Sequence, residues 1–335
     1  MRIKRDYFGG AENGSFAFDN ENKRLFLCSN GLKVIDVSNP KKPKIIGRYP
    51  RDLQHMTYHN GHLFASEGAA QKFVILDVAN EKDVRIIWET WEFILIDLRE
   101  IHFLEGGTIM AASGRSLSFW DIKDISNPEL LGEYSYKLLE KKPSSKFYPL
   151  SIGLAFHPEK KKLLVGFKRL LNSKVKFKAA LFDYSNCSDL KAKSFAGKKY
   201  QNEKSLLLDN FSRLLPNGIF PIISNHDHHE VIDWTNASKP IFYKKFRIKI
   251  DPDPEQTTII PINGSQILVH GTTSYIMDFN KRKPLSKPTP APNNINSNYF
   301  RNYPIMVDAD GYIYKINNLS TNKRRPLSIW KIKKN

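Results

Sequence analysis

The sequence predicts an all-β fold, a β-propeller of about seven four-stranded blades, with six as the alternative count. Three observations predict it. A hairpin unit whose first strand ends in Asp returns along the chain, the copies lie one blade length apart, and further short strands precede several of the copies. The anchoring aspartates are Asp36, Asp77, Asp121, Asp183, Asp233 and Asp278, at spacings of 41, 44, 62, 50 and 45 residues. Repeats of this period mean stacked supersecondary units, and four strands per unit make a propeller blade.

Blade one, residues 10–50, holds the clearest unit, GLKVIDVSNPKKPKIIGRY at 31–49. An apolar strand ends at Asp36, turn formers follow, and a second strand runs to an aromatic, which is the grammar of a β-hairpin. Blade two, 51–92, reads MTYHNGHLFASE (56–67) and then FVILDVANEKDVRIIW (73–88). Blade three, 93–136, reads IHFLEGGTIMAAS (101–113) and LSFWDIKDISNPELLGEY (117–134). Blade four, 137–196, keeps LFDYSN (181–186) and departs from the repeat through two insertions, SYKLLEKKPSSKFYP (135–149) leading into it and KRLLNSKVKFKAA (168–180) within it. Blade five, 197–246, carries VIDWTNASKPIFYKKF (231–246). Blade six, 247–290, carries TTIIPINGSQILVHG (257–271), where Asn263-Gly264 signals a tight turn, and YIMDFNKRKP (275–284). A Pro- and Asn-rich linker, 283–298, leads to blade seven, 291–335, where 303–318 supplies two strands and 324–333 the outer one, with Lys315 in the place of the aspartate. Residues 1–9 are expected to pair with this last blade and close the ring, because an unclosed propeller leaves a long exposed sheet edge. The whole is read as a single domain, 1–335.

Residues 31–49 resemble the LVIVD repeat, a propeller family whose consensus runs close to gLkViDvSnPskPklvg. Blades three and five retain the SNP or TNxxKP turn, whereas four, six and seven have drifted. The resemblance implies the propeller architecture and no particular activity.

Lys and Arg number 52 against 34 Asp and Glu, a net charge of +18, and the lysines are spread through the chain instead of forming one tail. Such a surface attracts acidic proteins, polyanions or anionic headgroups, although salt screens it over ~10 Å at 0.1 M. It also keeps a β-rich surface soluble. Cys28 and Cys187 lie far apart with no CxxC, so neither a disulfide framework nor a zinc knuckle is expected. MRIKRDYFGG lacks the apolar run of a signal peptide, and no stretch approaches the ~20 apolar residues that span a bilayer. The expected setting is cytoplasmic or otherwise intracellular if this N-terminus is native, and extracellular if a leader has been removed.

The six aspartates look like a metal array, but an Asp before a turn accepts hydrogen bonds from turn amides, and one copy per blade keeps the carboxylates apart. A structural role is expected. The run Asn225-His226-Asp227-His228-His229-Glu230, read as a loop between the second and third strands of blade five, is the densest cluster of metal-ligating types. In a strand only His226 with His228, or Asp227 with His229, share a face. His55 and His102 fall near equivalent places in adjacent blades, where inner-strand histidines can hold a divalent metal at the central channel. Asp251, Asp253 and Glu255 are a further cation candidate in what reads as a surface linker. The insertions offer a partner surface, Lys141, Lys142, Lys146, Phe147 and Tyr148 in the first and Lys174, Lys176 and Phe177 in the second, with aromatics among cations suited either to nucleobases or to packing on the blade. No GxSxG, Walker or GxGxxG pattern is present. The function expected is therefore a binding or scaffolding module presenting a basic surface to a protein or polyanionic partner, with nucleic acid as a lesser reading. No resident cofactor is assigned. The alternative is a metal-dependent hydrolase or oxidase at the channel.

Overall fold

The computed structural model describes residues 15–28, 31–67, 72–91, 98, 100–114, 116–136, 150–157, 160–171, 174–195, 219–224, 228–234, 236–239, 241–246, 258–263, 266–270, 273–278, 281, 283–285, 289–290, 305–307, 312–316 and 327–331. Among them the chain forms seven antiparallel sheets in succession. The first comprises β1 (Ser15–Asp19), β2 (Arg24–Cys28), β3 (Leu32–Asp36) and β4 (Lys44–Tyr49), and the second β5 (Leu53–His59), β6 (His62–Glu67), β7 (Lys72–Asp77) and β8 (Arg85–Thr90). The third holds β9 (Glu100–Leu104), β10 (Ile109–Ser113), β11 (Ser116–Asp121) and β12 (Glu129–Ser135), and the fourth β13 (Leu150–Phe156), β14 (Lys162–Leu171), β15 (Lys174–Asp183) and β16 (Lys191–Phe195). The fifth shows β17 (Ile219–Ser224), β18 (His228–Asp233) and β19 (Ile241–Phe246). The sixth shows β20 (Thr258–Asn263), β21 (Gln266–His270), β22 (Thr273–Asp278), β23 (Lys283–Pro284) and β24 (Thr289–Pro290), and the seventh β25 (Ile305–Val307), β26 (Tyr312–Ile316) and β27 (Leu327–Lys331). Two compact units result, residues 1–112, 120–130 and 299–331 in one, and 113–119, 131–298 and 332–335 in the other.

The middle strands are near-continuous apolar runs because they are covered on both faces: β2 is buried throughout and β3 at all but its last residue, while β4 alternates toward solvent. In the first unit Ala17, Phe26 and Val34 of the first sheet share a core with Leu63, Ala65 and Leu76 of the second. Phe64, Phe73 and Ile75 then face Ile101, Met110 and Trp120 of the third.

Four of the repeat turns are built twice over from their own side chains. Asp Oδ1 accepts from the amide two residues on, in Asp36 from Ser38, Asp77 from Ala79, Asp121 from Lys123 and Asp183 from Ser185, all at 2.9–3.0 Å. Three residues after the aspartate, Asn39, Asn80, Asp124, Asn186 and Asn236 repeat the device on the amide two residues further on, at 3.0–3.1 Å. The residue between them, Val37, Val78, Ile122 or Tyr184, donates its own amide to the turn joining the first two strands of its sheet. A side chain that satisfies a backbone donor fixes the turn without help from the rest of the fold, which is why Asp and Asn recur.

These turns dock on their neighbours through a notch. A Cβ at Gly47, in β4, would collide with the carbonyl oxygen of Glu81 in the turn of the next sheet, and a Cβ at Gly132, in β12, with that of Cys187. At the equivalent point of β8 stands Trp88, and there the next turn offers the side chain of Ile125.

The seventh sheet corrects the expected strand order. Lys315 pairs with Ile305, and Lys331 pairs with Tyr312 just as Asp36 pairs with Arg24, Asp77 with His62 and Asp278 with Gln266. Tyr314 packs with Leu25, Leu27, Ile35 and Val37, the role that Phe64 plays toward the third sheet. Thus β26 is a second strand, β27 a third, and Lys331, not Lys315, replaces the aspartate. The segment LSIWKIK (327–333) repeats LSFWDIK (117–123), a likeness masked in the sequence by the lost carboxylate.

Candidate functional site

The carboxylates of Asp36, Asp77, Asp121, Asp183 and Asp278 accept hydrogen bonds from their own turns. Backbone donation from the turn holds Asp36 and Asp77 below the ordinary carboxylate range, and the same cause acts on Asp121. Cations add to it: Arg85 lies 3.2 Å from Asp77 and Lys123 3.0 Å from Asp121. Lys162 bonds Asp183, which with the Ser185 hydroxyl lowers that carboxyl to about 2. Asp278 accepts from the Lys281 amide at 2.9 Å, and Asp233 ends β18 opposite Ile219.

Of the metal candidates, His55 lies in β5 at a bulge between Gln54 and Thr57, with φ of 49°, four residues before the strand end. His102 lies two residues before the end of β9, and its Nε2 sits 3.2 Å from Glu100 Oε2. His228, His229 and Glu230 belong to β18, paired with Ser224, Ile223 and Ile222, so the strand begins earlier than the expected loop allows. His226 and Asp227 lie outside the described residues, as do Asp251, Asp253 and Glu255. Among the described residues no three His, Cys, Asp or Glu side chains converge as a metal would need.

The sequence reading passed over His59, although HNGH (59–62) displays a histidine at each end of a tight turn. His59 and His62 face each other across that turn, and the His59 ring stacks on Phe103 at 4.1 Å. Its Nε2 is buried against the backbone of Gly107, where a Cβ would collide with it. Burial pulls its pKa below the ordinary histidine value. Cys28 is equally enclosed: Leu53 donates its amide to Sγ at 2.9 Å, and burial pushes the thiol up to about 12, so it is a poor nucleophile. Cys28 and Cys187 are both free thiols.

The spread of charge along the chain is uneven. Residues 1–136 contain 17 Lys and Arg against 19 Asp and Glu, and residues 137–335 contain 35 against 15, so the net charges are −2 and +20. The second insertion forms the distal half of the β14–β15 hairpin, whose ten-residue strands pair from Lys162 with Asp183 out to Leu171 with Lys174. Among the described residues β13 pairs with β14 only as far as Lys168, and β16 with β15 only from Ala179. The distal part is thus a two-stranded ribbon that outruns its neighbours. Paired residues share a face and successive pairs alternate. In register Phe167 pairs with Lys178, Lys168 with Phe177, Arg169 with Lys176, Leu170 with Val175 and Leu171 with Lys174. Lys141, Lys142, Lys146, Phe147 and Tyr148 lie outside the described residues.

Comparison with known proteins agrees on architecture. Residues 28–50 match the LVIVD repeat. No curated protein matches the sequence. The fold is similar to the crystal structure of the β-propeller domain of Cps50 (Swd1) from Myceliophteria thermophila, with a TM-score of 0.63 over 99% of both chains at 10% identity. It is one of 761 matching chains, so the likeness identifies an architecture shared by many proteins and carries no activity. The chain is a β-propeller bearing an LVIVD repeat. Among the described residues no helix is long and apolar enough to cross a membrane.

Proposed function

We propose that this propeller is a binding module whose last four blades present a basic surface to an acidic macromolecular partner. The observation that carries the reading is the charge division, −2 for residues 1–136 against +20 for residues 137–335 on one repeated scaffold. Solubility alone asks for a net charge of magnitude ~2–8 on a small domain, of either sign and without a one-sided field. A field of one sign raises the local concentration of oppositely charged partners and speeds encounter. The self-sufficient turns support the same reading, since a scaffold whose turns are held by their own Asp and Asn tolerates change in the longer segments that meet a partner.

The test uses heparin as a model polyanion. Calorimetric titration at about 50 mM salt is expected to show binding that K141Q/K142Q/K146Q weakens several-fold, each lost contact contributing to the salt-dependent term. Absence of heat at that ionic strength overturns the reading.

A further inference from the structure

We infer that the contact between the second and third sheets is an acid-released latch, in which the His59 ring is the bolt and the turn between β9 and β10 is the element it frees. This device is independent of the polyanion reading. His59 ends β5 at a two-residue turn, where Asn60 and Gly61 adopt φ of 45° and 81°. Its ring stacks on Phe103 of β9 at 4.1 Å, and Phe103 meets Phe64 of β6 edge-on at 4.7 Å. The buried Nε2 occupies the recess that Gly107 leaves by having no Cβ. The two sides of this contact are held unequally. The histidine's turn is fixed to its own sheet, since Tyr58 Oη accepts from the Gly61 amide at 3.1 Å and the Gly61 carbonyl accepts from the Val78 amide at 2.8 Å. The opposing turn carries three successive residues at positive φ, Glu105 at 50°, Gly106 at 68° and Gly107 at 94°, and the Thr108 amide reaches the Glu105 carbonyl at 3.4 Å. A left-handed conformation is disfavoured for a glutamate, so this turn is the side that moves.

A proton on the imidazole is what the closed contact resists. The charged ring would lose solvation between Phe103 and Gly107, and a second imidazole, His62, stands directly opposite across the turn. The surrounding charges are committed elsewhere. Asp77 lies opposite His62, one strand further from His59, and accepts from the Ala79 amide at 3.0 Å and from Arg85 at 3.2 Å. Glu100 and His102 of β9 engage each other at 3.2 Å, and Glu105 in the facing turn is exposed. Burial accordingly holds the His59 pKa below its ordinary value. Opening returns the ring to water and to that ordinary value, so the open form takes up the proton first. The closed form is therefore favoured above ~6.5, and acidification shifts the balance toward release until pH reaches the lower, closed-state value.

The experiment is hydrogen–deuterium exchange of the full chain, read by mass spectrometry in steps downward from about pH 7.5, with rates corrected for intrinsic exchange so that local opening is reported. Protection of residues 100–110 is expected to fall below about pH 6.5 by up to about tenfold per pH unit, the limit for one proton taken up on opening. Strand β2 of the first sheet should keep its protection over the same steps. His59→Phe, which retains an aromatic ring beside Phe103 and cannot titrate, should abolish the pH response, whereas His62→Gln should retain its direction. Gly107→Ala, which fills the recess, should lower the protection of residues 100–110 at every pH. Protection of 100–110 that is flat with pH in the wild type, or that falls equally in His59→Phe, overturns the latch. Equal loss in β2 reduces the effect to global unfolding and overturns it as well. A wild-type measurement decides the matter even where His59→Phe does not fold: NMR titration of the imidazoles supports the latch if the His59 ring protonates below ~6.5, and overturns it if the ring protonates at or above that value.

Discussion

Arg24→Met isolates the strongest buried electrostatic contact of the first two blades. Asp19 is fully buried and Arg24 is 8% exposed. The guanidinium holds Asp19 Oδ2 through Nε at 3.0 Å and Nη2 at 2.7 Å, and Nη1 reaches the carbonyls of Val78 and Ala79 in the next blade at 3.0 and 3.1 Å. Methionine keeps most of the packing volume and removes every one of those bonds. Asp19 keeps the Glu21 and Asn22 amides, the Asn22 side chain and the Tyr58 hydroxyl, but loses its cationic partner, and both carbonyls lose this donor. Breaking a buried pair from one side costs ~3–5 kcal/mol, or roughly 6–20 °C of melting temperature at ~2–4 °C per kcal/mol. Asp19→Asn/Arg24→Met is expected to recover part of that loss, because the uncompensated carboxylate is gone. Burial raises the Asp19 pKa, but hydrogen bonds from Asn22 and Arg24 outweigh it and leave the carboxyl below its ordinary value. Its contribution is therefore complete above about pH 4 and fades as pH falls through the lower folded value. Arg24→Met should move that acid arm upward. A loss below ~1 kcal/mol, or a double variant that costs the full sum of the singles, would refute the assignment of this contact as a blade-to-blade clamp.

Gly47→Ala and Gly132→Ala should each destabilise by ~1–3 kcal/mol in chemical denaturation, since the added methyl meets a backbone carbonyl that belongs to a fixed turn. His59 is lowered by burial, so the unfolded chain binds more protons between its folded value and ~6.5. Stability should fall with acidification through that window, and His59→Phe, which retains the stack on Phe103, should flatten the fall in melts taken downward from about pH 6.5. If residues 1–9 complete the seventh blade, deleting them lowers the melting temperature by several degrees; an unchanged melt excludes that closure.

How much of this was legible in the sequence follows from which interactions are local. The repeat turns were, because Asp36 and Asn39 bond amides two residues away and their chemistry is complete within a short segment. The tyrosine that decides the seventh blade was not: Tyr314 declares its role through contacts with Leu25 and Ile35, nearly the whole chain away. Gly47 is conspicuous in the repeat, yet its reason, the Glu81 carbonyl, belongs to another blade. The basic insertion was visible as composition, but its place as the far end of a ten-residue hairpin, with Leu171 paired to Lys174, is set by a register that composition does not encode. His59 was not legible, because nothing local announces a ring stacked on Phe103.

The central claim, that the last four blades present charge to a polyanion, is tested most directly by titrating labelled heparin into the full chain across a salt series. The account predicts log K falling linearly with log salt at a slope steeper than about −3, as several released counterions require. A slope near zero, with binding present, would contradict it and place the interaction on contacts other than charge.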